Sequence, residues 1–125
     1  MDELKIADGN DPIRSLSKTQ QNKYLQVLFK YFGSCLGYRR EEVEWMFFKY
    51  YVNRDIYICE TSDEFGLPEI KVKRLLEPSR EELSEAIERF LNYASMVAGV
   101  YLPLPNESDA INECNQVIKQ NKMFI

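Results

Sequence analysis

The sequence predicts a predominantly helical α+β fold, a compact helical domain that can carry one short β-hairpin. Three observations lead there. Ser17-Lys18-Thr19-Gln20 and Ser79-Arg80-Glu81-Glu82 are capping boxes, each followed by apolar residues three and four apart. Between them lie two short alternating runs, at residues 56–59 and 70–76, separated by turn-forming residues. Third, 45% of the 125 residues are apolar and fifteen are Phe or Tyr. At this mass the scaling rules give roughly 7,000 Å² of folded surface against about 21,000 Å² unfolded, enough burial for a core without staples.

Residues 1–13 are polar, with a turn at Gly9-Asn10-Asp11-Pro12, and are expected to be a flexible segment ahead of a single domain over 14–125. In the first helix Tyr24, Leu25, Leu28, Tyr31, Phe32 and Cys35 fall on one face, while Lys23, Gln26 and Lys30 share the other. Gly37 is its stop. A second helix is expected over 40–52. Val43, Met46, Phe47, Tyr50 and Tyr51 form its main apolar face, and Trp45, Phe48 and Val52 a second stripe nearly opposite. The middle is a hairpin, which must then pack on a helix, or an ordered loop.

From Ser79 a long helix presents Leu83, Ala86, Ile87, Phe90, Leu91, Ala94, Val97 and Ala98 to the core and closes at Gly99. Pro103 and Pro105 of LPLPNE then forbid helix and impose extended geometry, so the stretch reads as a rigid corner between two core-facing helices. Asn106 is the expected cap of the last helix, which buries Ala110, Ile111, Cys114, Val117 and Ile118. Cys35 and Cys114 read as core thiols.

The formal charge of -4 is unevenly distributed. Residues 14–40 hold six basic side chains and no acidic one; residues 77–113 hold eight acidic and two basic. Both blocks are either solvated faces or binding surfaces, and a concentrated basic surface matters more for nucleic acid than the total charge. The candidate phosphate contacts are Arg14, Lys18, Lys23, Lys30, Arg39 and Arg40, with Lys71, Lys73 and Arg74 from the middle segment. Asn22 and Gln26 add amides that can bond to backbone or base. Such contacts hold a strand without reading its sequence. Trp45 and Phe48 are a base-stacking surface, a subunit interface or simply core.

Histidine is absent, and three cysteines without a close pair suggest neither a disulfide framework nor a zinc site. There is no phosphate-binding glycine loop, HExxH or nucleophile elbow. Glu41, Glu42 and Glu44, or Glu60, Asp63 and Glu64, are the acidic groups a metal-dependent nuclease would draw on, and both are ordinary for solvated surface. The expectation is a non-catalytic protein without cofactor or metal. No apolar run reaches membrane-spanning length, and Met-Asp-Glu-Leu-Lys is no signal peptide, so a cytoplasmic protein is expected.

Arg14-Ser15-Leu16-Ser17, Gln21-Asn22-Lys23-Tyr24, the capped segment from Ser79 and the run ASMVAGVYLPLPN over 94–106 follow one another in an order that resembles the NinB/Orf family of phage recombination proteins. The likeness covers roughly residues 14–107 and is carried mainly by Q-N-x-Y and by the long helix leading to L-P-x-P. It implies a homodimer, encoded by a phage or prophage, that binds single-stranded or partly single-stranded DNA, assists loading of a recombinase and can meet the host single-stranded-DNA-binding protein. Carried over, Arg14, Gln21, Asn22 and Tyr24 take the motif positions, Gln21 and Tyr24 as helix positioners, Asn22 and Lys23 as accessible DNA contacts. The chain departs from larger members in lacking a β-rich stretch before Arg14 and in its acidic second half. The alternative is a protein-interaction adaptor using the acidic helix or the Trp45 stripe.

Overall fold

Ser17 opens the first helix as its sequence requires. Its Oγ accepts the Gln20 N–H at 3.2 Å, and Gln20 Oε1 accepts the Ser17 N–H at 2.9 Å, so two otherwise orphaned donors are satisfied. The computed structural model describes residues 11–122. In it α1 (Lys18–Leu36) ends at Gly37, whose φ of 84° lies in the left-handed region. There follow α2 (Arg40–Glu42), a π-helix π1 (Val43–Val52), α3 (Arg54–Tyr57), strands β1 (Ile58–Ser62) and β2 (Pro68–Val72), α4 (Arg80–Tyr93), a second π-helical stretch π2 (Ala94–Ala98), and α5 (Ser108–Lys122). The fold is predominantly helical α+β, as the sequence predicts.

Residues 1–10 of the expected flexible segment lie outside the described residues. Its last three do not fit that expectation: Asp11 Oδ1 accepts the Ile13 and Arg14 N–H groups, and Ile13 is 3% exposed in the core. Around α1, π1 and α4 the core is aromatic. Phe29 meets Phe48 and Phe90 edge-to-face at 5.2 and 5.8 Å, and Phe48 meets Phe90 at 5.5 Å. Buried polar atoms tie elements together. The Tyr24 hydroxyl donates to the Pro103 carbonyl at 2.6 Å and Tyr57 to the Leu75 carbonyl at 2.7 Å. Burial pushes both phenols well above the usual tyrosine range. Gln21 Nε2 donates to the Ile13 carbonyl and the Ser84 Oγ.

Helix 40–52 departs from its expected faces. Because π1 closes i→i+5 bonds, as Asn53 N–H to the Phe48 carbonyl shows at its end, residues five apart share a face. Val43 and Phe48 are fully buried and Val52 half-buried, whereas Met46, Tyr50 and Tyr51 are exposed. Phe48 is therefore core, not a stacking or dimer surface. The same widening after Tyr93 turns Val97 out to 68% exposure while Ala94 stays buried.

β1 and β2 pair antiparallel with Ile58 opposite Val72 and Ser62 opposite Pro68. The first strand starts later than expected, because Ile56 and Tyr57 are buried in α3, and the second ends at Val72, leaving Lys73 to Leu76 beyond it. Asp63 closes the turn by accepting the Phe65 and Leu67 N–H groups, with Gly66 at φ 80°. Packing of the hairpin on a helix is not found: every strand residue except Ile58 is exposed.

LPLPNE is a corner. Leu102 and Pro103 are buried, and Glu107 Oε1 accepts the Leu104 N–H and the Tyr101 hydroxyl. The helix beyond begins at Ser108, its Ile111 N–H bonding the Glu107 carbonyl, so Glu107 rather than Asn106 stands at the cap position. α5 packs on α1 through Cys114 and half-buried Ile111, Val117 and Ile118. Cys114 is a core thiol, pushed up to about 11 chiefly by burial. Cys35, in the last turn of α1, is exposed, contrary to expectation.

Candidate nucleic-acid interface

The α1 period puts Lys23, Gln26 and Lys30 in one row, Lys23 and Lys30 about 10 Å apart along the axis. Both lysines are exposed. The row leads into a cleft of about 470 Å³ between the end of α1, the turn into α2 and the C-terminal part of α5. Lys30, Tyr38, Arg39, Arg40, Ile118 and Asn121 line it. Gly33 forms part of its wall and must lack a side chain, since a Cβ there would collide with the Tyr38 carbonyl. That carbonyl approach fixes the turn that carries both arginines.

Arg40 joins the row to the next helix. Its Nη1 donates to Gln26 Oε1 and to Glu44 Oε1, each at 2.8 Å, and Gln26 Nε2 donates to Asn22 Oδ1 at 3.0 Å. Glu44 also accepts Lys49 Nζ at 3.2 Å, so its charge is matched twice. Arg39 is the freer of the two, its side chain 80% exposed with a 3.7 Å ion pair to Glu42.

The wide period of π1 brings Trp45 and Tyr50, five residues apart, onto one side of the helix. Trp45 and Tyr50 pack at 5.6 Å, and the Arg54 guanidinium caps the Tyr50 ring at 4.5 Å. The result is an exposed cation–aromatic stripe, Trp45–Tyr50–Arg54. Tyr38, Tyr50 and Arg54 were not among the expected site residues. For Tyr50 the sequence signal is its five-residue spacing from Trp45, invisible to a 3.6-residue wheel.

The other expected contacts do not join this track. Arg14 is held by Asp11 at 3.6 Å and Glu88 at 3.1 Å. Lys18 donates to the Leu76 carbonyl at 2.8 Å. Asn22 is half-buried and occupied by Gln26. Lys71 sits exposed on β2, Lys73 follows the strand, and Arg74, 91% exposed, pairs with Glu77 at 3.7 Å. Lys23, Gln26, Lys30, Arg39 and Arg40 come together; Arg14, Lys18, Asn22, Lys71, Lys73 and Arg74 are structural or lie elsewhere.

Of the acidic groups, Glu41 and Glu44 face Arg40, and Asp63 serves the hairpin turn. Among the described residues no cluster of three or more Cys, Asp or Glu is placed to hold a metal ion, and no helix is long and apolar enough to cross a membrane. Comparison with protein-family models, curated proteins and solved structures found no match.

Proposed function

We propose that the protein is a non-catalytic binder of single-stranded DNA that assists recombination. Lys23, Lys30, Arg39 and Arg40 hold successive phosphates, and Tyr38, Trp45 and Tyr50 offer ring faces to bases. The observation that carries the reading is the cleft into which Lys30, Arg39 and Arg40 all open beside Tyr38. The likeness of the Q-N-x-Y and L-P-x-P segments to the NinB/Orf family supports the narrower role, a phage or prophage accessory that helps load a recombinase and meets the single-stranded-DNA-binding protein. It fits that role that Gln21 and Tyr24 are buried positioners.

Anisotropy titration of a labelled oligonucleotide tests this. Neutralising about four phosphates on a single strand gives a salt slope of roughly -3, so affinity falls about fifty-fold between 50 and 200 mM salt. Lys30→Glu with Arg39→Glu weakens binding at least ten-fold on any sequence and flattens the slope. Identical isotherms for wild type and variant would remove this surface from consideration. A second reading, a protein-binding adaptor, is favoured by exposed Tyr51, Met96 and Val97; an adaptor binds no strand in the same titration.

A further inference from the structure

We infer that two copies of this chain join edge to edge through β2, forming one four-stranded antiparallel sheet. The inference does not depend on DNA binding. It begins from a hairpin that should not be left as it is. Two strands alone are marginally stable and need a third strand or a helix. Here β2 is exposed along its whole length, and Phe65 and Leu67 at the tip are 79% and 60% exposed.

The hydrogen-bond phase shows what β2 offers. Lys73 N–H bonds the Tyr57 carbonyl and Asp63 N–H the Leu67 carbonyl, one at each end of the ladder. Antiparallel pairs alternate, so Cys59–Lys71 and Thr61–Glu69 exchange bonds while Ile58–Val72 and Glu60–Ile70 do not. The N–H and C=O of Ile70 and Val72 therefore point outward from the hairpin, unpaired by β1.

The side chains along that edge are self-complementary. Pairing β2 with a second β2 about a two-fold axis at Ile70 sets Ile70 opposite Ile70 with two mutual hydrogen bonds. Glu69 of each copy then faces Lys71 of the other, twice by symmetry, at the closer non-hydrogen-bonded spacing. Val72 N–H meets the Pro68 carbonyl at each end, and Pro68, which has no N–H, ends the ladder there. On the opposite face Pro68, Ile70 and Val72 of both copies form one apolar block. Each tip, with Phe65 and Leu67, comes beside the base of the other hairpin, where Lys73 and Arg74 lie.

The β1 edge offers nothing comparable. Its symmetric register would set Glu60 against Glu60, and Glu60 is already paired with Arg54 at 3.4 Å. Like charges directly opposite oppose pairing. The occupant of the β2 edge is thus a second β2 and not an arbitrary strand.

Sedimentation velocity over a wide micromolar range, with charge-swapped variants, tests the pairing. Wild type dimerises. Lys71→Glu alone, or Glu69→Lys alone, raises the dimer dissociation constant about ten-fold or more by placing like charges opposite each other twice. The double swap Glu69→Lys with Lys71→Glu restores the dimer. Mixing the two single variants produces a heterodimer, since each then faces its opposite charge. Ile70→Pro keeps the hairpin's own ladder, which does not use that N–H, and abolishes the dimer. A wild type that stays monomeric overturns the inference, as does a dimer indifferent to the swaps or single variants that fail to pair when mixed. A monomer whose hairpin instead captures an oligonucleotide overturns it too.

Discussion

Tyr24, which the helical period puts on the apolar face of α1, and Gln21, which the family resemblance makes a helix positioner, are both polar residues turned into the core. Both fall toward the apolar face of α1, and both end buried with one partner across the chain, Pro103 for Tyr24 and Ser84 for Gln21. Tyr24→Phe removes the hydroxyl and leaves the buried Pro103 carbonyl without its donor, which costs about 1–3 kcal/mol. Urea unfolding should show a lower midpoint at unchanged slope, with oligonucleotide affinity unaltered because the phenol faces away from the lysine row. Arg14 and Lys18 were not legible in this way. Their partners, Glu88 and Leu76, are 74 and 58 residues distant, and no local pattern encodes such a contact. A basic side chain in a positive stretch of sequence looks available until the fold brings an acceptor to it.

At the scale of elements, what was legible divides by helix type. α1 and α4 obey the 3.6-residue period, and their capping boxes, buried faces and αL glycines stand where the sequence indicates. π1 and π2 do not, because an i→i+5 ladder rotates each successive residue less, and the wheel assigns Met46, Tyr51 and Val97 to the core when they are exposed. From its alternation the middle was legible only as a hairpin or an ordered loop, and the hairpin's isolation not at all, since that depends on what fails to cover it. The stability consequences separate the two wheels. Phe48→Ala, at the meeting point of Phe29, Tyr57 and Phe90, should cost about 3–5 kcal/mol. Tyr51→Ser, on what the α-helical wheel calls the main buried face, should stay within about 0.5 kcal/mol as an exposed substitution. Denaturation curves of the two variants decide it; comparable losses would restore the α-helical assignment.

Over the whole molecule, carboxylates tie together elements that lie apart in the chain. Arg89 takes Asp55 at 2.7 Å and so ties α4 to α3, while Glu107 locks the proline corner through Tyr101 and Leu104. Hydrogen bonding from Arg89 holds the Asp55 carboxyl below its usual range, and the Tyr101 hydroxyl followed by the Leu104 N–H does the same for Glu107. A carboxyl with a depressed folded pKa binds fewer protons folded than unfolded. Its stabilisation is therefore present above the ordinary values of about 3.9 and 4.3 and disappears as pH falls through the lower folded values. Thermal midpoints followed downward from neutral pH should hold level and then drop below about pH 4. Asp55→Asn with Glu107→Gln should begin lower at neutral pH and descend less steeply, since neither position can then take up a proton. The difference is small because both carboxylates face solvent, where water and salt screen the pairs, and it shrinks further at high ionic strength. Curves for wild type and double variant that run superimposed from neutral to acid would mean that α3 and the corner are held by packing alone.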